Sequence, residues 1–167
     1  MYENYLTKRV NSLNTESAFK ILAKANKLEA SGMNIIHCEI GQPDFKTPEH
    51  IAQAACRAIN EGFTGYSPAQ GYPELREEIA KFYTINKHVK TDMNDVVVVP
   101  GGKPIMFYTM LMLVNPGDEV IIPDPGFPVY TSCIKFVEGV PVPIPLLEED
   151  EFKYDLEKLK AAITPKT

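Results

Sequence analysis

"VVVVPGGKPIMFYTMLMLV", residues 96–114, is the stretch whose reading decides the fold. Four valines run into Pro-Gly-Gly, and the glycines run into an apolar segment of helical length. A β-branched run reads as a strand, Pro-Gly-Gly as a turn, and the remainder as a helix. Strand, glycine turn and helix start together can make an anion cradle. Backbone N–H groups converge at the helix end, and the helix dipole favours negative charge there. Two common cradles are excluded by spacing. A Walker loop ends in Gly-Lys-Ser/Thr, but Lys103 is followed by Pro104. The dinucleotide pattern GxGxxG is absent. What remains is Gly101 and Gly102 at a helix start, which either admit an anion or simply turn the chain. Pro104 is harmless early in a helix, where its missing N–H would have no partner.

Downstream of this stretch, "NPGDE" reads as a tight turn and "EVIIP", from Glu119, as a strand. That strand is apolar throughout rather than alternating, so burial on both faces is expected. "DPGFPVY" reads as a loop, with a short helix starting near Val129. "VPVPIP", residues 140–145, alternates, and its three prolines deprive one side of N–H donors. An edge strand or extended connection follows. Asp155 can cap a last helix whose inner face is Leu156, Leu159 and Ile163.

Upstream, residues 17–31 have helical apolar spacing and Gly32 as a stop. "NIIHCEI" reads as a short strand and "GQPDFKTP" as a loop. Thr47 and Pro48 suit the start of a helix whose apolar face is Ile51, Ala54, Ala55, Ala58 and Ile59. Gly62 ends it, the loop "FTGYSPAQGY" follows, and another helix starts at about Pro73. Its apolar side is Leu75, Ile79, Phe82 and Tyr83, and a strand is expected over 95–100. Helices alternating with apolar strands predict an α/β fold: a mainly parallel sheet with helices on both faces.

Composition narrows the function. The 167 residues carry 44% hydrophobic and 23% charged residues, ordinary for a globular domain. A net charge of -5 with no basic run argues against a nucleic-acid partner. No apolar stretch reaches membrane-spanning length, and the first ten residues lack a signal-peptide core, so no membrane partner is expected. Three cysteines without CxxC spacing suggest reduced thiols in a cytoplasmic protein. Three scattered histidines give no metal site.

Five segments in order carry a resemblance to a family: "IGQPDFKTP", "GYSPAQGYPELREEIA", "VVVVPGGKPIMF", "NPGDEVIIPDPGFPVY" and "AITPKT". The chain resembles the N-terminal portion of the class I/II, fold-type I aminotransferases, which use pyridoxal 5'-phosphate. The resemblance implies that Gly101, Gly102 and Lys103 hold the cofactor phosphate through backbone amides. It implies that Phe127 stacks on the pyridine ring, where many members have Trp or Tyr. It implies that Tyr66 reaches the partner's cofactor phosphate in a homodimer with shared active sites. Gly41 matches a glycine whose backbone lies near the substrate α-carboxylate. In some relatives the lysine at the Lys103 position helps recognise an acidic side chain. Glu16, if it faced the site, would oppose a dicarboxylic substrate.

The family's chemistry also needs a Schiff-base lysine, a ring-nitrogen aspartate and a carboxylate-binding arginine. The resemblance places these after the segments seen here, so no catalytic residue is assigned among the 167 positions. The expected organisation is residues 1–45 contributing to a small domain and substrate site, then 46–167 as the start of a truncated large cofactor domain. The expected parent is a transaminase acting on an amino acid and a 2-oxo acid, with this segment inactive alone. Other fold-type I enzymes, a carbon–sulfur lyase or a decarboxylase, share these motifs. A non-catalytic aminotransferase-like domain is the other alternative, less favoured because about sixteen residues precede the first helix.

Overall fold

The computed structural model describes residues 5–13 and 17–167, so Glu16 lies outside the described residues. The elements in chain order are α1 (Ser17–Ala30), α2 (Glu49–Asn60), α3 (Pro73–Asn86) and α4 (Gly102–Leu113), then β1 (Glu119–Asp124), α5 (Val129–Phe136), β2 (Val140–Pro145) and α6 (Leu156–Ala161). Contacts divide the chain into two compact units: Met1–Ile40 with Gly101–Thr167, and Gly41–Pro100.

The first unit is built on a β1–α5–β2 crossover. The two strands are parallel and in register from Glu119 opposite Val140 to Asp124 opposite Pro145. Parallel neighbours need a long return path, and α5 supplies it. This helix packs on both strands and on α4. It buries Ser132, Cys133 and Ile134, and Ile134 is 0% exposed. Ile122 of β1 and Ile144 of β2 complete this core. The Cys133 thiol is pushed up in pKa by burial, which disfavours the thiolate. The return from α5 into β2 passes Gly139, where a Cβ would stand 2.7 Å from Val114 Cγ1.

The prolines of β2 behave as their spacing predicts. Val140 donates to the Asp118 carbonyl at 2.8 Å and Leu146 to that of Asp124 at 2.7 Å. Residues of even number therefore face β1, and Pro141, Pro143 and Pro145 face away from it. β1 differs from its expectation: Ile122 alone is buried, and the other positions are half-buried or exposed. Its opposite side meets the 164–167 turn, where Glu119 N donates to Lys166 O at 2.7 Å. Thr164 Oγ1 also donates to Glu119 Oε2 at 2.6 Å. Asp155 caps α6 as expected, accepting from Glu157 N at 2.9 Å and Lys158 N at 3.1 Å. These donors hold its carboxyl below the usual range.

α4 is apolar around its whole circumference, a pattern that normally marks a helix enclosed by protein. In this chain Ile105, Tyr108, Leu111, Met112 and Leu113 are all more than half exposed. One side is covered: the Phe107 ring meets the Phe136 ring of α5 edge-on at 5.2 Å.

In the second unit α3 starts at Pro73 in the first helical position, as its sequence predicts. Arg76, on its inner side, is 4% exposed. Its Nε donates to Val96 O at 2.9 Å and its Nη2 to Met93 O at 2.6 Å. Ala80 is buried beside it, whereas Leu75, Phe82 and Tyr83 are exposed. Gly71, at φ +98, lies against Val98, and a Cβ there would come within 2.8 Å of the valine Cβ.

Three local expectations are corrected. Residues 95–100 and 34–40 are not strands. A strand exists only when paired, and the amides of the valine run bond otherwise: Val96 N to Met93 O at 3.3 Å, closing a turn, and Val98 N to Gln70 O at 2.9 Å. Val96 nevertheless keeps extended torsions, as a β-branched run should. Thr47 does not cap α2; Pro48 occupies the N-cap and makes no side-chain bond. The apolar face of α2 exists, yet the helix buries no residue, and Ile51 and Ile59 are 50% and 62% exposed.

Candidate functional site

The turn that opens α4 has a backbone that selects glycine. Gly101 is the N-cap at φ 88 and ψ 173. Only glycine adopts that combination without strain. A Cβ at Gly101 or Gly102 would meet nothing within 4 Å. The glycines are therefore required by torsion at Gly101 and leave open space in front of the helix. Gly101 has no side chain with which to cap. The amides of Gly102 and Lys103 fall in the first turn, where helical geometry gives an N–H no intrahelical acceptor. Such a terminus suits an anion, and a phosphate in particular.

Lys103 follows immediately. Its Nζ lies 6.0 Å from the Phe19 ring centroid of α1, a cation–π contact. Its ammonium is thus placed over an aromatic face of the same unit.

Phe127 sits in the loop between β1 and α5, half-buried. Its ring meets Tyr130 edge-on at 5.9 Å and 89°. It borders a cleft of about 330 Å³ that also touches Ile122, Asp124, Thr131, Pro141 and Pro143. That cleft lies at the carboxyl end of β1, where parallel α/β sheets receive ligands. Asp124 and Thr131 had no reading in the sequence. Their signal was available in principle: the first residues after a predicted parallel strand are the ones to inspect.

The glycine turn and Phe127 belong to one unit, and α4 and α5, which they open, pack through Phe107 and Phe136. Gly41 and Tyr66 belong to the other unit. Gly41 lies in irregular backbone. Tyr66 is fully exposed, with nothing of its own unit over the ring. Among the described residues no cluster of His, Cys, Asp and Glu could hold a metal. No described helix is long and apolar enough to cross a membrane.

The pattern of one family, aminotransferase class I and II, matches residues 34–167. The aspartate aminotransferase of Geobacillus stearothermophilus is 42% identical over 162 residues, which is 97% of this chain and 41% of that protein. The probable aspartate/prephenate aminotransferase of Aquifex aeolicus is 39% identical over the same share of each chain. Among solved structures, aspartate aminotransferase from Thermus thermophilus with maleate superposes with a TM-score of 0.90 at 36% identity, covering 97% of this chain and 42% of that one. Alanine aminotransferase from Pyrococcus furiosus gives 0.89 at 33% identity, with the same coverage. The chain therefore spans about 41% of the length of the curated relatives it matches. The glycine turn, the β1–α5 loop and the parallel pair all fall inside the matched residues, and the chain belongs to the aminotransferase class I and II family, with the α/β architecture of its fold-type I structures.

Proposed function

We propose that this chain supplies the phosphate-binding and ring-stacking part of a pyridoxal-phosphate transaminase acting on an amino acid and a 2-oxo acid. The observation that supports it most is the Gly101 turn: a glycine-only backbone with open space before a helix N-terminus. That feature fits a small phosphate monoester. The amides of Gly101, Gly102 and Lys103 would donate to it, and Phe127 would lie against the pyridine face. Phe127 gives stacking area and no polar handle. The cofactor, when bound, supplies an electron sink for the substrate Cα. Full exposure of Tyr66 favours its reaching beyond its own chain, toward the phosphate site of a partner in a homodimer. The backbone at Gly41 would face the substrate carboxylate.

On this reading residues 1–45 contribute to a small domain and 46–167 begin the large cofactor domain. The chain by itself would bind the cofactor phosphate and transfer no amino group, since none of its residues is assigned the Schiff-base role. The side chain of the substrate stays open. The relatives' names cover aspartate, prephenate and alanine. Lys103 over Phe19 favours no one of them. Free thiols at Cys38, Cys56 and Cys133 accord with a cytoplasmic setting.

Equilibrium dialysis with pyridoxal phosphate, competed by inorganic phosphate and by ATP, tests the reading. Pyridoxal phosphate should bind, inorganic phosphate should displace it, and ATP should not compete. ATP binding with no pyridoxal phosphate uptake would overturn it. Gly101→Ala is the companion variant. Its Cβ meets no neighbour, so the penalty is torsional, about 1–3 kcal/mol. Pyridoxal phosphate affinity should fall by roughly five- to 150-fold, the equivalent ratio. Unchanged affinity would remove the turn from the site.

A further inference from the structure

Residues 33–40 have no helix or strand to hold them, yet one side chain within them is bound on two sides. His37 Nδ1 lies 2.6 Å from Glu39 Oε1, in its own segment. His37 Nε2 lies 3.2 Å from Glu29 Oε1, in the last turn of α1. Carboxylates only accept, so both ring nitrogens must carry a proton for both contacts to be favourable. A neutral ring has one N–H, and its lone pair would face the other carboxylate. We infer that His37, Glu29 and Glu39 form a charge-dependent clasp that ties residues 33–40 to α1 and lets go of α1 when the imidazole loses one proton.

The two arms are unequal. The Glu39 contact is the shorter and has hydrogen-bond geometry, whereas the Glu29 contact is an ion pair. A neutral Nδ1–H tautomer keeps Glu39 and surrenders Glu29. The groups acting on the ring are these two carboxylates, one from α1 and one from its own segment. These contacts, the Glu39 hydrogen bond first, raise the imidazole pKa above 6.5, and desolvation opposes them. The His37 bond lowers the Glu39 pKa in turn. A raised histidine pKa gives a clasp that is fully present below 6.5 and lost as pH rises through the higher folded value. The lowered Glu39 pKa sets the acid limit: below it the carboxylate is protonated and its arm fails.

Nitrogen-15 NMR of the histidine ring and amide exchange of the whole chain test this. At about pH 6 both ring nitrogens should be protonated. The midpoint should lie above 6.5. Between about pH 6 and about pH 9, exchange over residues 34–40, corrected for intrinsic chemistry, should speed up by roughly two- to fivefold, the ratio an exposed ion pair supports. Residues 132–134 of α5 serve as the internal control. Glu29→Gln should lower the midpoint and abolish the step, leaving the Glu39 bond. Its side chain is 45% exposed, so the change leaves the fold intact. His37→Gln should abolish the step too. A midpoint at or below 6.5, or a step that persists in Glu29→Gln, overturns the clasp.

Discussion

Ile134→Ala should lower stability by about 2–5 kcal/mol, seen as a fall in denaturant midpoint and in amide protection across α5, β1 and β2. Ile134 is the large side chain with no exposure at all among the described residues. It lies in the crossover helix that touches both strands and α4. Gly139 lies close against it: a Cβ there would stand 3.1 Å from Ile134 Cγ2. A site packed this tightly cannot collapse around an alanine, so the cavity term adds to the lost transfer term. The loop carrying Phe127 leads directly into this helix, so the variant should also weaken pyridoxal phosphate binding. An unchanged midpoint would mean that the crossover is not the core of its unit.

Arg76→Met should be comparably damaging in the other unit. Methionine keeps much of the aliphatic stem and loses both donors. The Val96 and Met93 carbonyls would each lose a charged partner. Val96 is 8% exposed, so water does not readily replace that partner. An orphaned buried acceptor costs about 1–3 kcal/mol, which applies in full to Val96; the Met93 carbonyl is only part-buried and adds less. Arg76→Lys restores one donor and should recover part of the loss. The measurement is amide protection across α3 and residues 93–98. Equal protection in Arg76→Met and the parent would show that the guanidinium merely fills space. The arginine also has a reach beyond its helix: residues 97–100 follow its anchor and lead into Gly101.

Features that depend on a few neighbouring residues were legible in the sequence. Pro73 opens α3, Gly32 and Gly62 take the positive φ that ends α1 and α2, and Asp155 caps α6. The β2 prolines announced an edge. Features that depend on distant partners were not. The valines at 96–99 have β propensity, and Val96 has extended torsions, but pairing is a property of two segments, and propensity belongs to one. The face of α2 was visible as a pattern, and a pattern does not specify what covers it. The same division runs through the candidate site. Gly101 and Gly102 were conspicuous in the chain, and Phe127 through its Pro-Gly-Phe-Pro loop. The cleft that Phe127 borders is closed by Pro141 and Pro143, which reach it only once β2 has paired with β1. Arg76 meets its carbonyls across 17 and 20 residues, a distance at which no local spacing rule operates.

The three prolines of β2 have one more consequence. An amyloid-like stack or a domain swap begins when an exposed edge exchanges donors and acceptors with a second chain. Along the outer side of β2 every position due to present an N–H is a proline, so that side offers carbonyls and nothing in return. A foreign strand arriving there could form only half a ladder. The sheet thus has a margin that accepts but cannot donate, and β2 is closed to strand addition from that side.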